Sequence, residues 1–214
     1  MNDAKGRNKN GPGLSRRDFL KGSGAAAAAT ALATAPVTAG AAEEAADSSK
    51  AVGMGPGPVL VQLNVNGKKM SQSLEPRVTL LDALRNYLDV TGCKRVCDRG
   101  TCGACTVMLD GKPIYSCTMF ALEAQDHKIK TAEALVADGK LDAVPAAFVH
   151  YDAQQCGFCT PGFVVAMRAA FDKNPKATPA EIEEGLSGNI CRCGTYRQMR
   201  DAIAALCQSE GKGG

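Results

Sequence analysis

Eight cysteines in two sets of four constrain this chain more than any other feature. Cys97, Cys102 and Cys105 stand at C-x₄-C-x₂-C spacing, and Cys117 follows across a short apolar stretch. Cys156 and Cys159 lie in QCGFCTPG, and Cys191 and Cys193 in NICRCG. The last pair is unusually close. A disulfide across one intervening residue would close a small, strained ring, and zinc sites mostly draw on wider C-x₂₋₄-C pairs. Sulfurs that share a tetrahedral metal lie roughly 3.7 Å apart when the metal–sulfur bonds are about 2.3 Å. Neighbours in an extended loop can reach that separation, so Cys191 and Cys193 suit a metal centre better than a crosslink. Three alternatives stay open on the residues alone: a disulfide scaffold, structural zinc, and one metal cluster beside inert helical cysteines.

The first set is the more specific. Its spacing is that of plant-type [2Fe–2S] centres. Two irons bridged by sulfide need four thiolates around them, and a loop can wrap them only where its backbone comes close. Gly100 and Gly103 permit that approach, so that backbone N–H groups can point at sulfur and tune the centre. Cys117 is expected on a return strand, closing the cage from the other side. No histidine flanks either set in a Rieske-like arrangement. The second set lies next to two helix boundaries, which a helical domain could bring together.

The patterning supplies the scaffold. VLVQLNVNG alternates and ends in Asn66-Gly67, a hairpin turn, with KKMSQSL as the return strand. TLLDALRNYLD puts Leu80, Leu81, Leu84 and Leu88 on one helical face, with Thr79 and Asp82 as an approximate capping box and Gly92 at the end of the helical region. CTVML and PIYSC form a second hairpin about Asp110-Gly111. These elements make a small α+β domain over residues 58–130. Residues 131–210 read as helical. DAVPAAFVHYDA is one helix, Thr160-Pro161 caps a second, Thr178-Pro179-Ala180-Glu181 boxes a third, and a fourth runs from about Thr195 to Gln208 with Met199, Ile203 and Leu206 inward. Four such helices predict a compact bundle. The chain has no Trp and few other aromatics, so the core is expected to be thin and to need metal or crosslinks.

The basic charge belongs to the N-terminus. Six of 25 Lys/Arg and two of 22 Asp/Glu lie in residues 1–41, leaving the remainder almost neutral. No basic stripe with interleaved aromatics marks a nucleic-acid surface. Ser15–Lys21 reads SRRDFLK, with Arg16 and Arg17 followed by an Ala-rich run. This resembles a twin-arginine export signal, with Ala39-Gly40-Ala41 a candidate cleavage site. The run is long enough to span a bilayer, but its Ala, Gly, Thr and Pro content gives little insertion energy. The signal therefore covers 1–41, residues 42–57 form a flexible linker, and the destination is the periplasm, without a stable membrane span. Twin-arginine export carries folded proteins, so thiols could be metallated before they leave the cytoplasm.

Taken together, GCKRVCDRGTCGACTVMLDGKPIYSC, QQCGFCTPGFVVAM and LSGNICRCGTYRQMRDAI closely resemble the iron–sulfur subunit of molybdenum hydroxylases, the xanthine oxidase and aldehyde oxidoreductase family. The resemblance spans residues 58–208. It implies a plant-ferredoxin-like β-grasp domain followed by an all-α four-helix bundle, each holding one [2Fe–2S] cluster. Cys97, Cys102, Cys105 and Cys117 would ligate the first, nearer the flavin or another acceptor. Cys156, Cys159, Cys191 and Cys193 would ligate the second, nearer the molybdenum. Gln155 matches a family residue that contacts the pterin cofactor. The resemblance further implies an electron relay for a substrate oxidised on a separate large subunit carrying a molybdenum–pterin cofactor, with FAD on another chain. No Gly-rich nucleotide fingerprint or P-loop occurs here. Aldehydes are the expected substrates; the alternatives are a subunit of an N-heteroaromatic hydroxylase and a free-standing ferredoxin-like carrier. Cys93 and Cys207 have no ligand role in this pattern and read as small apolar residues. His127 and His150 have no partner identifiable in sequence, and Arg192 and Arg197 fit surface or partner contacts equally.

Overall fold

The strand patterning is realised as a five-stranded sheet. A computed structural model describes residues 55–210; the export signal, its cleavage site and most of the linker lie outside them. Strand β1 (Val59–Val65) pairs antiparallel with β2 (Lys68–Leu74) through the Asn66-Gly67 turn. Both turn residues have positive φ, 52° and 79°, as a two-residue hairpin loop requires. Val61, Leu63 and Val65 alternate inward. Strands β3 (Thr106–Leu109) and β4 (Lys112–Tyr115) form the second hairpin, again through two positive-φ residues, Asp110 and Gly111. β5 (Lys128–Lys130) lies between the hairpins, parallel to β1 and antiparallel to β3. The strand order is β2-β1-β5-β3-β4.

Between the hairpins, α1 (Leu80–Asp82) starts with the Thr79 hydroxyl accepting from the Asp82 N–H at 3.1 Å. The predicted helix then widens into a π-turn over Ala83–Tyr87, where Leu88 N–H reaches back to Ala83. Leu80, Leu81 and Leu84 are fully buried all the same, because the inward face is kept. Gly92 does not end this helix. It lies beyond it, where its N–H donates to Glu133 Oε1 at 2.6 Å and where any Cβ would collide with that carboxylate.

A small hairpin that the sequence reading passed over, β6 (Val136–Ala137) with β7 (Lys140–Leu141), precedes the helices. Its strands are too short for periodicity to show; only Asp138-Gly139 carried a turn signal. Four helices follow: α2 (Ala143–His150), α3 (Thr160–Lys173), α4 (Pro179–Gly185) and α5 (Tyr196–Glu210). The α4 capping box forms as read, with Thr178 N–H to Glu181 Oε2 at 2.7 Å and Glu181 N–H to Thr178 Oγ1 at 3.4 Å. Thr160 is not a cap. Cys159 occupies the cap position, Thr160 is the first helical residue, and its hydroxyl is buried without a hydrogen-bond partner.

Two hydrophobic cores result. Val61, Leu63, Leu80, Leu84, Val107 and Ile129 fill the one beneath the sheet. Phe148, Phe163, Phe171, Ile182, Met199 and Ile203 fill the other between the helices. Three of the phenylalanines, Phe148, Phe163 and Phe171, are thus buried between the helices. Strand β3 serves both, for Val107 points into the first core and Met108 into the second, as the two-residue period of a strand dictates.

Candidate metal centres

The loop from Cys93 to Cys105 is held from outside before any metal is considered. Arg85 donates to the Thr91 and Cys93 carbonyls, each at 2.8 Å, and Lys94 N–H donates to Ala104 O at 2.9 Å. Within the loop, Gly100 (φ 71°) and Gly103 (φ 70°) adopt the left-handed conformation. That turns backbone N–H groups onto sulfur: Gly100 N–H to Cys117 Sγ at 3.2 Å and Thr101 N–H to Cys97 Sγ at 3.4 Å. Cys97 lies beside Cys102, and Cys105 beside Cys117, near enough for each to act on its neighbour's thiol. All four sulfurs lie close enough to Tyr115 to act on its phenol. Burial first, then the charge of these four thiols, raises the Tyr115 pKa. Cys117 lies one step beyond the expected strand, in a 3₁₀ turn, Ser116–Thr118, that follows β4. The turn points Cys117 toward Cys105 and buries it.

The second set forms at the N-terminal ends of α3 and α5. Cys193 Sγ and Cys156 Sγ are 3.4 Å apart, and Cys159 lies near enough to Cys191 for the two thiols to act on each other. Gly194 N–H donates to Cys191 Sγ at 3.3 Å, with the Thr195 hydroxyl also at 3.3 Å. Tyr196 grips the loop backbone from within α5, its hydroxyl accepting from Cys191 N–H at 2.8 Å. Cys156 and Cys193 are exposed, Cys159 is half-buried and Cys191 is buried. Gln155 and Arg192 are exposed beside them.

The thiols fall into acidic and basic members. Hydrogen bonding to Thr101 draws Cys97 down to about 6. At Cys191, burial opposes ionisation but is outweighed by bonds from Thr195 and Gly194, which bring it to about 7. Burial pushes Cys105 and Cys159 each up to about 12. A thiolate is the metal-binding form, so of these four Cys97 and Cys191 ionise most readily, whereas Cys105 and Cys159 would have to lose their protons if a metal bound.

All ten cysteines are free thiols, which removes the disulfide scaffold. Among the described residues, no three His, Cys, Asp or Glu side chains converge on one point that could hold a single ion. Cys93 stands apart from both sets. It is buried, and burial raises it to about 11. Cys207 packs at the edge of the helical core. His127 finds a partner that sequence did not disclose, Asp110 Oδ2 at 2.5 Å from Nδ1. Sequence reasoning also missed Tyr115 and Asn189, which link the two cysteine loops. Their pairing is non-local, and only their positions beside cysteines hinted at it.

These features define a mixed α/β protein with two iron–sulfur-binding domains. Residues 63–135 match the 2Fe-2S iron-sulfur cluster binding domain and residues 131–204 the [2Fe-2S] binding domain, while residues 13–33 match the twin-arginine translocation pathway signal sequence. The chain is 41% identical to the nicotinate dehydrogenase small FeS subunit of Eubacterium barkeri, over 68% of this chain and 92% of that one. It is 38% identical to the aldehyde oxidoreductase iron-sulfur-binding subunit PaoA of Escherichia coli K12, over 66% of this chain and 68% of that one. A chain of quinoline 2-oxidoreductase from Pseudomonas putida 86 superposes with TM-score 0.68 at 38% identity, covering 73% of this chain and 98% of that chain. The chain belongs to the family of iron–sulfur subunits of molybdenum hydroxylases. It is an electron-transfer subunit of an oxidoreductase. Among the described residues, no helix is long and apolar enough to cross a membrane.

Proposed function

We propose that this chain relays single electrons between two [2Fe–2S] clusters in a periplasmic, multi-subunit molybdenum-dependent dehydrogenase. One observation carries the reading: eight thiols gather as two groups of four, each with backbone N–H groups turned onto sulfur. Cys97, Cys102, Cys105 and Cys117 would hold one cluster in a β-grasp domain over residues 58–130. Cys156, Cys159, Cys191 and Cys193 would hold the other in a four-helix domain over residues 131–210. Bound clusters supply one-electron carriers whose potentials respond to hydrogen bonds on sulfur and to burial. The chain's own part is to donate those hydrogen bonds, keep Cys105, Cys117 and Cys191 from water, and leave the Cys156–Cys193 edge open. That open edge and exposed Gln155 support contact with a large subunit carrying the molybdenum–pterin cofactor. The first cluster would then face FAD or another acceptor on a further chain.

Aldehyde oxidation is the proposed reaction. The similarity to the nicotinate dehydrogenase small subunit favours a second reading, hydroxylation of an N-heteroaromatic ring. Turnover of aldehydes against N-heteroaromatic acids by the native complex separates the two. Iron and acid-labile sulfide analysis should find about four irons per chain, two for each cluster, and Cys193→Ser should abolish one of two EPR signals. Iron-free protein from cluster-competent cells would refute the relay. Purification as a lone chain would refute its place in a complex.

A further inference from the structure

We propose that Asn189 is the positioning residue that holds the two cysteine groups at a fixed separation. The inference rests on the two-cluster reading above. Asn189 is only 8% exposed. Its Nδ2 donates to Gly103 O at 2.9 Å and to Thr106 Oγ1 at 3.3 Å. Gly103 lies between Cys102 and Cys105, and Asn189 lies two residues before Cys191. One buried side chain thus ties the two ligand loops together.

The neighbouring residues repeat the connection. Ile190 N–H donates to Cys102 O at 3.0 Å, and the Tyr115 hydroxyl donates to Gly188 O at 3.0 Å. Residues 188, 189 and 190 are each bonded to the segment that carries the first cysteine set. The seam has no slack. A Cβ at Gly103 would lie 2.7 Å from Gly188 O, one at Gly162 would strike Gly103 O, and one at Gly188 would strike the Tyr115 hydroxyl. Backbone meets backbone, and the Asn189 side chain fills the contact together with the buried Thr106 hydroxyl and the Tyr115 phenol.

The acceptors explain why an amide is needed. Thr106 Oγ1 donates its proton to Gly103 O at 2.6 Å, so it can only accept from Asn189. Gly103 O also accepts. Both require a donor with two hydrogens, which the Asn amide has and an Asp carboxylate of equal shape lacks. Asp at this position would set an acceptor against two acceptors and bury a charge without a partner.

The test is EPR on the full chain carrying both clusters, reduced with dithionite. The magnetic interaction between two reduced centres falls steeply with distance, so it reads their separation independently of each centre's own signal. Wild type should show two signals with mutual splitting. Asn189→Asp and Asn189→Ala should keep both signals at their own g values, with full iron content, and lose the splitting. Thr106→Val, which removes one of the two acceptors at almost constant volume, should weaken it and decides the matter if neither Asn189 variant folds. Unchanged splitting in the variants would overturn the role. Loss of one signal outright would overturn it too, because Asn189 would then serve cluster binding itself. A wild-type chain with fewer than two signals would instead refute the two-cluster reading, and the positioning role with it.

Discussion

Gly103 combines a left-handed backbone with a close backbone neighbour. Its φ of 70° is one that L side chains rarely adopt, and a Cβ there would meet Asn189 and the Gly188 carbonyl. Gly111 has a similar φ of 81° but open space around it. The left-handed conformation alone costs an L-residue about 1–2 kcal/mol. Overpacking against a neighbour that cannot yield adds about 1–3 kcal/mol, and a backbone carbonyl yields less than a flexible side chain. Gly111→Ala should therefore lose only the first amount, and Gly103→Ala both. In thermal unfolding the midpoint should fall further for Gly103→Ala, roughly one and a half to four times as far on these costs. Equal shifts would mean that the seam can open to admit a methyl group.

At the scale of elements, what could be read in the sequence was what local physics decides. Asn66-Gly67 and Asp110-Gly111 turn because two positive-φ residues are needed there. Thr178 and Glu181 cap α4 because each satisfies the other's free N–H. Thr178→Ala should cost about 1 kcal/mol, lowering the melting midpoint by about 2–4 °C while leaving iron content unchanged. A loss of iron would show that α4 is coupled to the metal centres more tightly than its position implies. The misreadings have one cause: tertiary contact overrode a local signal. Thr160-Pro161 has the residues of a helix start, but Cys159 takes the cap position, at the second cysteine set. Gly92 looks like a stop signal, but its lack of a side chain admits Glu133 from 41 residues away. The grouping of the cysteines was legible because the loops between close neighbours are short. The joining of the two loops by Asn189 and Tyr115 was not, because no local pattern encodes contacts across 73 to 86 residues.

Across the whole molecule, the two cysteine sets differ most in what covers them. Cys105 and Cys117 are buried, with Cys97 and Cys102 half-buried, whereas Cys156 and Cys193 are exposed. The second set is also bordered by large apolar side chains that lie open, Phe158 at 49% and Ile190 at 53%. A metal centre in water beside an exposed Phe is a poor arrangement for an isolated carrier, because solvent would reach the sulfurs and the apolar area would remain unburied. The same arrangement suits a subunit, since covering Phe158 and Ile190 would dry the cluster edge in one step. Aromatic anchors at the centre of an interface commonly cost about 2 kcal/mol or more when removed, roughly thirtyfold in affinity. Phe158→Asp should therefore leave the chain folded, with about four irons, yet strip it from the proposed large subunit during native purification. The aspartate would lie between Cys156 and Cys159 without being buried in either core, which keeps folding and association separable. If Phe158→Asp still co-purified at wild-type yield, the exposed edge of the second set would not be the docking face, and the partner would have to approach from the side of Cys97 and Val96.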